Sequence, residues 1–165
     1  MLWLYCTWNG EDRVYIPHIV TDTEMPLAAG RELWGFPKKL AHIKLERGAD
    51  LIWGTMERPK GHRICSAGVR LERPAEIEEA EMDVACVSLR VIPNAEEGKA
   101  PLVAELIDTT SRFTMLEMWE GPGWAQYDAI TPIDPWYKLE VKKVMGASFR
   151  IYHQVLPCGK VVKTY

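Results

Sequence analysis

The sequence has no block of like charge. Its 20 basic and 23 acidic residues leave a formal net charge of −3 over 165 residues, and neither sign gathers into a run that nucleic acid or an anionic membrane would bind. Cysteine is sparse: Cys6, Cys65, Cys86 and Cys158 lie far apart with no Cys-x-x-Cys pair, which gives neither zinc-finger spacing nor a disulfide framework. Free thiols in a cytoplasmic protein are the expectation. His18, His42, His62 and His153 are scattered without the spacing of metal ligands, so no metal is assigned to them. The apolar opening Met1-Leu2-Trp3-Leu4-Tyr5-Cys6 lacks a basic leader and is interrupted by Asn9-Gly10-Glu11-Asp12, so it reads as neither a signal peptide nor a membrane span. Repeats, low-complexity tracts and Pro/Gly/Ser linkers are also missing. One domain over residues 1–165 is therefore expected, of a size that buries a single core.

What is present is a set of short segments rich in Val, Ile, Thr, Tyr and Trp between frequent turn residues. Residues 13–20, 51–56 and 84–92 read as strands, with further candidates at 41–47, 63–71, 102–118 with a bend, and 139–156. A short helix is expected over residues 24–33, capped by Asp22 or Thr23, with Glu24 in its first turn and Pro26 tolerated near its start. Residues 74–81 carry helix formers, but their carboxylates repel one another, so a solvated edge with at most one helical turn is expected. Many strands with two small helices predict a mainly β (α+β) fold, an antiparallel sheet curled into a barrel or cone.

Two features that resemble binding motifs have plainer readings. Gly121-Pro122-Gly123 lacks the Gly-Lys-Ser/Thr ending of a phosphate loop and reads as a turn between strands. The seven tryptophans have no basic groove to make them a stacking platform for single-stranded nucleic acid. Core, pocket wall and subunit interface are their expected places.

The stretch richest in chemical content is Gly30-Arg31-Glu32-Leu33-Trp34-Gly35-Phe36-Pro37-Lys38-Lys39-Leu40-Ala41, where two lysines follow an apolar run. An exposed lysine has a pKa of about 10.4 and no lone pair to attack a carbonyl at neutral pH. Desolvation lowers that value by up to about 3–5 units, on the order of 4–7 kcal/mol against the charged form at about 1.36 kcal/mol per unit. In an extended chain adjacent side chains point to opposite faces, so desolvation by Trp34 and Phe36 is expected to act on Lys38 more than the Lys39 charge does. By composition alone, a Lys-Lys pair is more often a solvated surface dipeptide.

Gly-Arg-Glu-Leu followed by Trp-Gly-Phe-Pro-Lys-Lys-Leu resembles the signature around the Schiff-base lysine of the acetoacetate decarboxylase family. The resemblance extends to Trp8-Asn9-Gly10, Asp50-Leu51-Ile52-Trp53-Gly54-Thr55, Leu89-Arg90-Val91-Ile92-Pro93-Asn94, Glu105-Leu106-Ile107, Trp119-Glu120-Gly121-Pro122-Gly123 and Leu156-Pro157, nearly the whole chain. It implies a cone-like antiparallel β-barrel. Lys38 would condense with a small keto acid to form an iminium, and Lys39 matches the second lysine of the pair. Arg31, Trp34 and Phe36 are the pocket candidates. Acetoacetate decarboxylase is itself the standing example of a lysine activated in this way.

The resemblance further implies a lyase without metal or organic cofactor, acting on acetoacetate or a related β-keto acid, in a homo-oligomer with no nucleic-acid or membrane partner. Aldolase or dehydratase activity on pyruvate-like substrates is the alternative within the family. The family also carries an N-terminal segment with an arginine and pocket glutamates that have no counterpart in residues 1–165. A domain lacking that segment is thus expected, and with it the alternative of a non-catalytic binding or assembly module.

Overall fold

The computed structural model describes residues 1–77, 81–128, 130–131 and 133–165. In chain order the first elements are β1 (Leu2–Trp8), β2 (Glu11–Thr21), α1 (Glu24–Leu33), β3 (Lys38–Leu40), β4 (His42–Arg47) and β5 (Leu51–Glu57). They are followed by β6 (Arg63–Arg70), β7 (Arg73–Pro74), β8 (Glu81–Ile92), β9 (Val103–Gly121) and β10 (Gly123–Gln126). A single 3-10 turn at Pro135–Lys138, β11 (Ala147–Val155) and β12 (Lys160–Thr164) complete the chain. The expected mainly β fold with few short helices is thus the one found.

The chain divides into two compact units, residues 1–40, 81–113 and 154–165 in the first and residues 41–80 and 114–153 in the second. In the first unit β1 and β2 form an antiparallel hairpin closed at Trp8↔Glu11. Its two turn residues, Asn9 (φ 52°) and Gly10 (φ 82°), are both left-handed, the Asn-Gly geometry whose twist suits tightly joined strands. Next to β2 comes β8 and then β9, and β12 pairs antiparallel with β9 through Lys160↔Asp108 and Thr164↔Glu105.

The sheet is not purely antiparallel. β2 pairs parallel with β8 at Val14↔Cys86 and with β3 at Ile19↔Lys38, Val20↔Lys39 and Thr21↔Leu40. The return from β2 to β3 passes through α1, and a connection of that length allows a parallel neighbour that a tight turn cannot make. Val14, Ile16, Ile19, Phe36, Val84, Val87, Ile107 and Phe113 are buried here. Across the strands Arg13 on β2 donates to both carboxylate oxygens of Asp108 on β9, at 3.0 to 3.2 Å.

The second unit holds a four-stranded sheet in the order β10-β6-β5-β4, with antiparallel registers such as Trp53↔Gly68 and Trp124↔Gly68. Ile52, Met56, Ile64, Val69 and Trp136 are buried in it. Asp134, only 2 % exposed, is ion-paired with Arg58, which offsets the cost of a buried carboxylate. Gly121-Pro122-Gly123 links β9 to β10 through Pro122 alone, whose carbonyl accepts from the Arg70 N–H at 2.9 Å, so the expected turn between strands is instead an extended link. A side chain at Gly121 would meet the Arg70 carbonyl at 2.0 Å, so only glycine fits.

Several expectations need correction. The strand expected over 139–156 exists only from Ala147 to Val155. Residues 139–146 are all exposed, so no buried face holds an extended ladder there, and the 3-10 turn before them ends with the Leu139 N–H bonded to the Trp136 carbonyl. The expected edge at 74–81 begins as the short β7 paired with β9 at Pro74↔Trp119. Residues 75–77 have no regular structure, and 78–80 lie outside the described residues. Thr23 stands at the N-cap of α1 in extended conformation but makes no side-chain cap bond. Among the described residues no helix is long and apolar enough to cross a membrane.

Candidate active site

The lysine-bearing loop is fixed by backbone bonds that follow from its sequence. α1 ends at Leu33, with Trp34 as C-cap, and Gly35 takes φ +72°. A side chain at Gly35 would lie 2.5 Å from the Arg90 backbone nitrogen, so the loop presses against β8 as only glycine allows. Phe36 N–H then donates to the Gly30 carbonyl at 2.9 Å, and Lys38 N–H to the Phe36 carbonyl at 2.7 Å. The Trp34 carbonyl accepts from Ser88 Oγ, and the Trp34 indole N–H donates to the Pro157 carbonyl at 2.8 Å. The chain therefore enters β3 in one orientation.

That orientation places Lys38 in the wall of a cavity of about 110 Å³ within the first unit. The apolar lining comes from Ile16, Ile19, Phe36, Val84, Phe113 and Leu156, with Met1 and Trp3 contributing. The neutral polar groups are Cys86, Ser111 and Gln154. Lys38 is the single charged side chain among the described residues of this lining, and burial holds its amine below the ordinary lysine value. The cause is desolvation: an ammonium ion loses hydration in such a wall, and no carboxylate in the lining compensates it.

The sequence candidates fall into different places. Phe36, 5 % exposed, lines the cavity directly. Lys39, on the other face of β3 from Lys38 by strand alternation, does not line it. Trp34 is also outside the lining. It stacks on Phe36 with ring centroids 6.4 Å apart and planes at 21°, backing the wall rather than forming it. Arg31 stays on the surface, where its Nη1 donates to the Lys38 carbonyl at 3.2 Å.

Sequence reasoning missed Ser111, Gln154 and Cys86. Ser111, on β9, is 4 % exposed and accepts from Gln154 Nε2, on β11, at 3.3 Å. The two positions are 43 residues apart, and only strand arrangement joins them. Cys86 is buried, and desolvation, then the charge of Asp108, pushes its thiol up to about 11. It faces the cavity as a neutral group. The one available signal was alternation along residues 84–92, which puts Val84 and Cys86 on a common face.

The whole sequence, residues 1–165, matches the family model of acetoacetate decarboxylase. Acetoacetate decarboxylase 3 of Mesorhizobium japonicum is 31 % identical over 163 residues, covering 96 % of this chain and 62 % of its own. Acetoacetate decarboxylase of Clostridium acetobutylicum is 30 % identical over 165 residues, covering 96 % and 65 %. The crystal structure of acetoacetate decarboxylase from Legionella pneumophila superposes with a TM-score of 0.86 at 31 % identity, covering 99 % of this chain and 65 % of that one. The chain thus spans a little under two thirds of the length of these relatives. Matched by the family model over residues 1–165 and in fold over 99 % of its length, the chain belongs to the acetoacetate decarboxylase family.

Proposed function

We propose that this chain supplies the nucleophile of a Schiff-base lyase acting on a small β-keto acid, acetoacetate or a close analogue. The observation that carries the reading is the placement of Lys38 as the one charged group among the described residues that line an apolar cavity of about 110 Å³. The family is known for lyases, and the amine at this position is the one its chemistry requires. Neutral Lys38 Nζ adds to the ketone carbon. The resulting carbinolamine takes up a proton from solvent at its hydroxyl and loses water, which leaves the nitrogen as a cationic iminium. Cleavage of the bond to the carboxylate releases carbon dioxide, with the bonding electrons neutralising the iminium to an enamine. Protonation at carbon and hydrolysis then return the ketone and the free amine. The iminium is the electron sink, so the step needs no other electron acceptor.

An apolar wall favours this sequence twice. It keeps the amine unprotonated before attack, and it destabilises the substrate carboxylate relative to the uncharged carbon dioxide that leaves. Ser111 and Gln154 are the groups suited to hold a substrate oxygen, since they are neutral and their own bond is a long one. Lys39 and Arg31 act outside the cavity, on the geometry and field of the loop.

Borohydride trapping tests the reading. Incubation with acetoacetate, and separately with pyruvate, followed by reduction and peptide mapping, should place a mass adduct on Lys38 that is absent from Lys38→Ala. A stronger adduct with pyruvate would move the chain to the aldolase or dehydratase branch. A folded sample that gives no adduct with either acid would overturn the lyase reading in favour of a binding module. Self-association is proposed as well, supported by the edge strand β4, all of whose residues are exposed, with Ile43 and Leu45 at 40 % and 68 %. Light scattering should return a mass above that of one chain.

A further inference from the structure

Gly30 is the buried residue of α1, and it lies beneath the lysine. A methyl group built on its Cα would stand 2.5 Å from Lys38 Cδ, 2.6 Å from Cε and 3.0 Å from Nζ, whereas carbon atoms in contact normally sit about 3.5–4.0 Å apart. Helix formation does not ask for glycine here, since glycine is the poorest helix former after proline. Its backbone is ordinary right-handed helix, which alanine adopts readily. Its carbonyl accepts the Phe36 N–H, a service that any residue provides. What glycine alone supplies at this position is empty space, and the end of the Lys38 side chain fills it.

We propose that Gly30 is a positioning residue for the Lys38 amine: its missing side chain is the seat along which Cδ, Cε and Nζ lie, which aims the nitrogen into the cavity. The proposal rests on Lys38 as nucleophile. A long, rotatable side chain delivers its nitrogen to one place only when something confines the stem, and a nucleophile needs placement to within about 1 Å of its attack position. The atoms that would collide are the far end of a flexible chain, not backbone. An added methyl group therefore moves the lysine and leaves the fold intact.

The test compares wild type with Gly30→Ala by trace labelling with acetic anhydride from neutral to alkaline pH, reading Lys38 by peptide mass mapping against exposed Lys44 as an internal reference. In Gly30→Ala the Lys38 labelling midpoint should move up toward the ordinary lysine value of about 10.4. Its relative rate at neutral pH should fall by roughly tenfold, the consequence of about one pH unit, as should the rate of borohydride trapping with acetoacetate, while the thermal midpoint holds or rises. A folded Gly30→Ala with the wild-type labelling midpoint and trapping rate would overturn the proposal. If Gly30→Ala alone is unfolded, the double variant Gly30→Ala/Lys38→Ala decides: recovery of the Lys38→Ala melting temperature shows that the clash is with the lysine stem, and failure to recover refutes it. A wild-type Lys38 that labels like Lys44 would instead refute the nucleophile reading itself, so the two failures are separable.

Discussion

Arg31 Nη1 donates to the carbonyl of Lys38 at 3.2 Å, tying the last turn of α1 to the first residue of β3. The guanidinium holds the backbone of Lys38 from outside the cavity lining, and in the proposed mechanism it acts on the lysine and not on the substrate. Arg31→Met should therefore lower kcat more than it raises KM, by roughly 2–10-fold for one hydrogen bond of about 0.5–1.5 kcal/mol. Steady-state kinetics with acetoacetate separates the two parameters. A change in KM alone would place Arg31 on the substrate instead.

Lys38→Met should abolish turnover and trapping yet stabilise the fold at neutral pH. The sign follows from linkage: the folded-state value of Lys38 is lowered, so between that value and the unfolded lysine value of about 10.4 the unfolded chain binds the extra proton and wild-type stability rises with pH. The advantage of Lys38→Met should accordingly shrink as pH climbs toward that upper value. Denaturant melts of both proteins across this range measure it.

Ser111→Ala should raise KM roughly 2–10-fold, the equivalent of one neutral hydrogen bond of about 0.5–1.5 kcal/mol, and leave the Lys38 labelling midpoint in place. Substrate titrations paired with amine labelling check both halves. A moved midpoint would show that Ser111 acts on the amine and not on the substrate.

Cys86 should resist alkylation. Its thiol is raised to about 11 by burial, so thiolate is scarce at neutral pH, whereas Cys158 is exposed. Iodoacetamide followed by peptide mapping should label Cys158 first and Cys86 only after denaturation.

Gly35→Ala should destabilise the first unit by about 1–3 kcal/mol for the left-handed backbone alone, with more from the 2.5 Å approach to Arg90 N. The melting temperature reports this loss. Gly10→Ala, whose added methyl group meets nothing within 4 Å, should cost only the backbone part.

The sequence by itself determined the local elements whose signals are local. Glu24 in the first turn and Pro26 near the start open α1 as expected, and the segments 13–20, 51–56 and 84–92, rich in Val, Ile, Thr, Tyr and Trp, mark strands that the structure extends by a few residues. The Trp-Gly-Phe-Pro-Lys-Lys motif marked the lysine and the family. β1 and the short β3 were not legible as strands, because Leu2–Trp8 becomes one only by pairing with β2, and three residues carry no periodicity. The tertiary structure decided which side of the lysine pair faces the cavity, because the parallel register Ile19↔Lys38 assigns the faces. It also brought Ser111, Gln154 and Cys86 to one wall and set Gly30 beneath the Lys38 stem. Those relationships join residues on separate elements, and their geometry is set by strand pairing and packing, which no local pattern encodes.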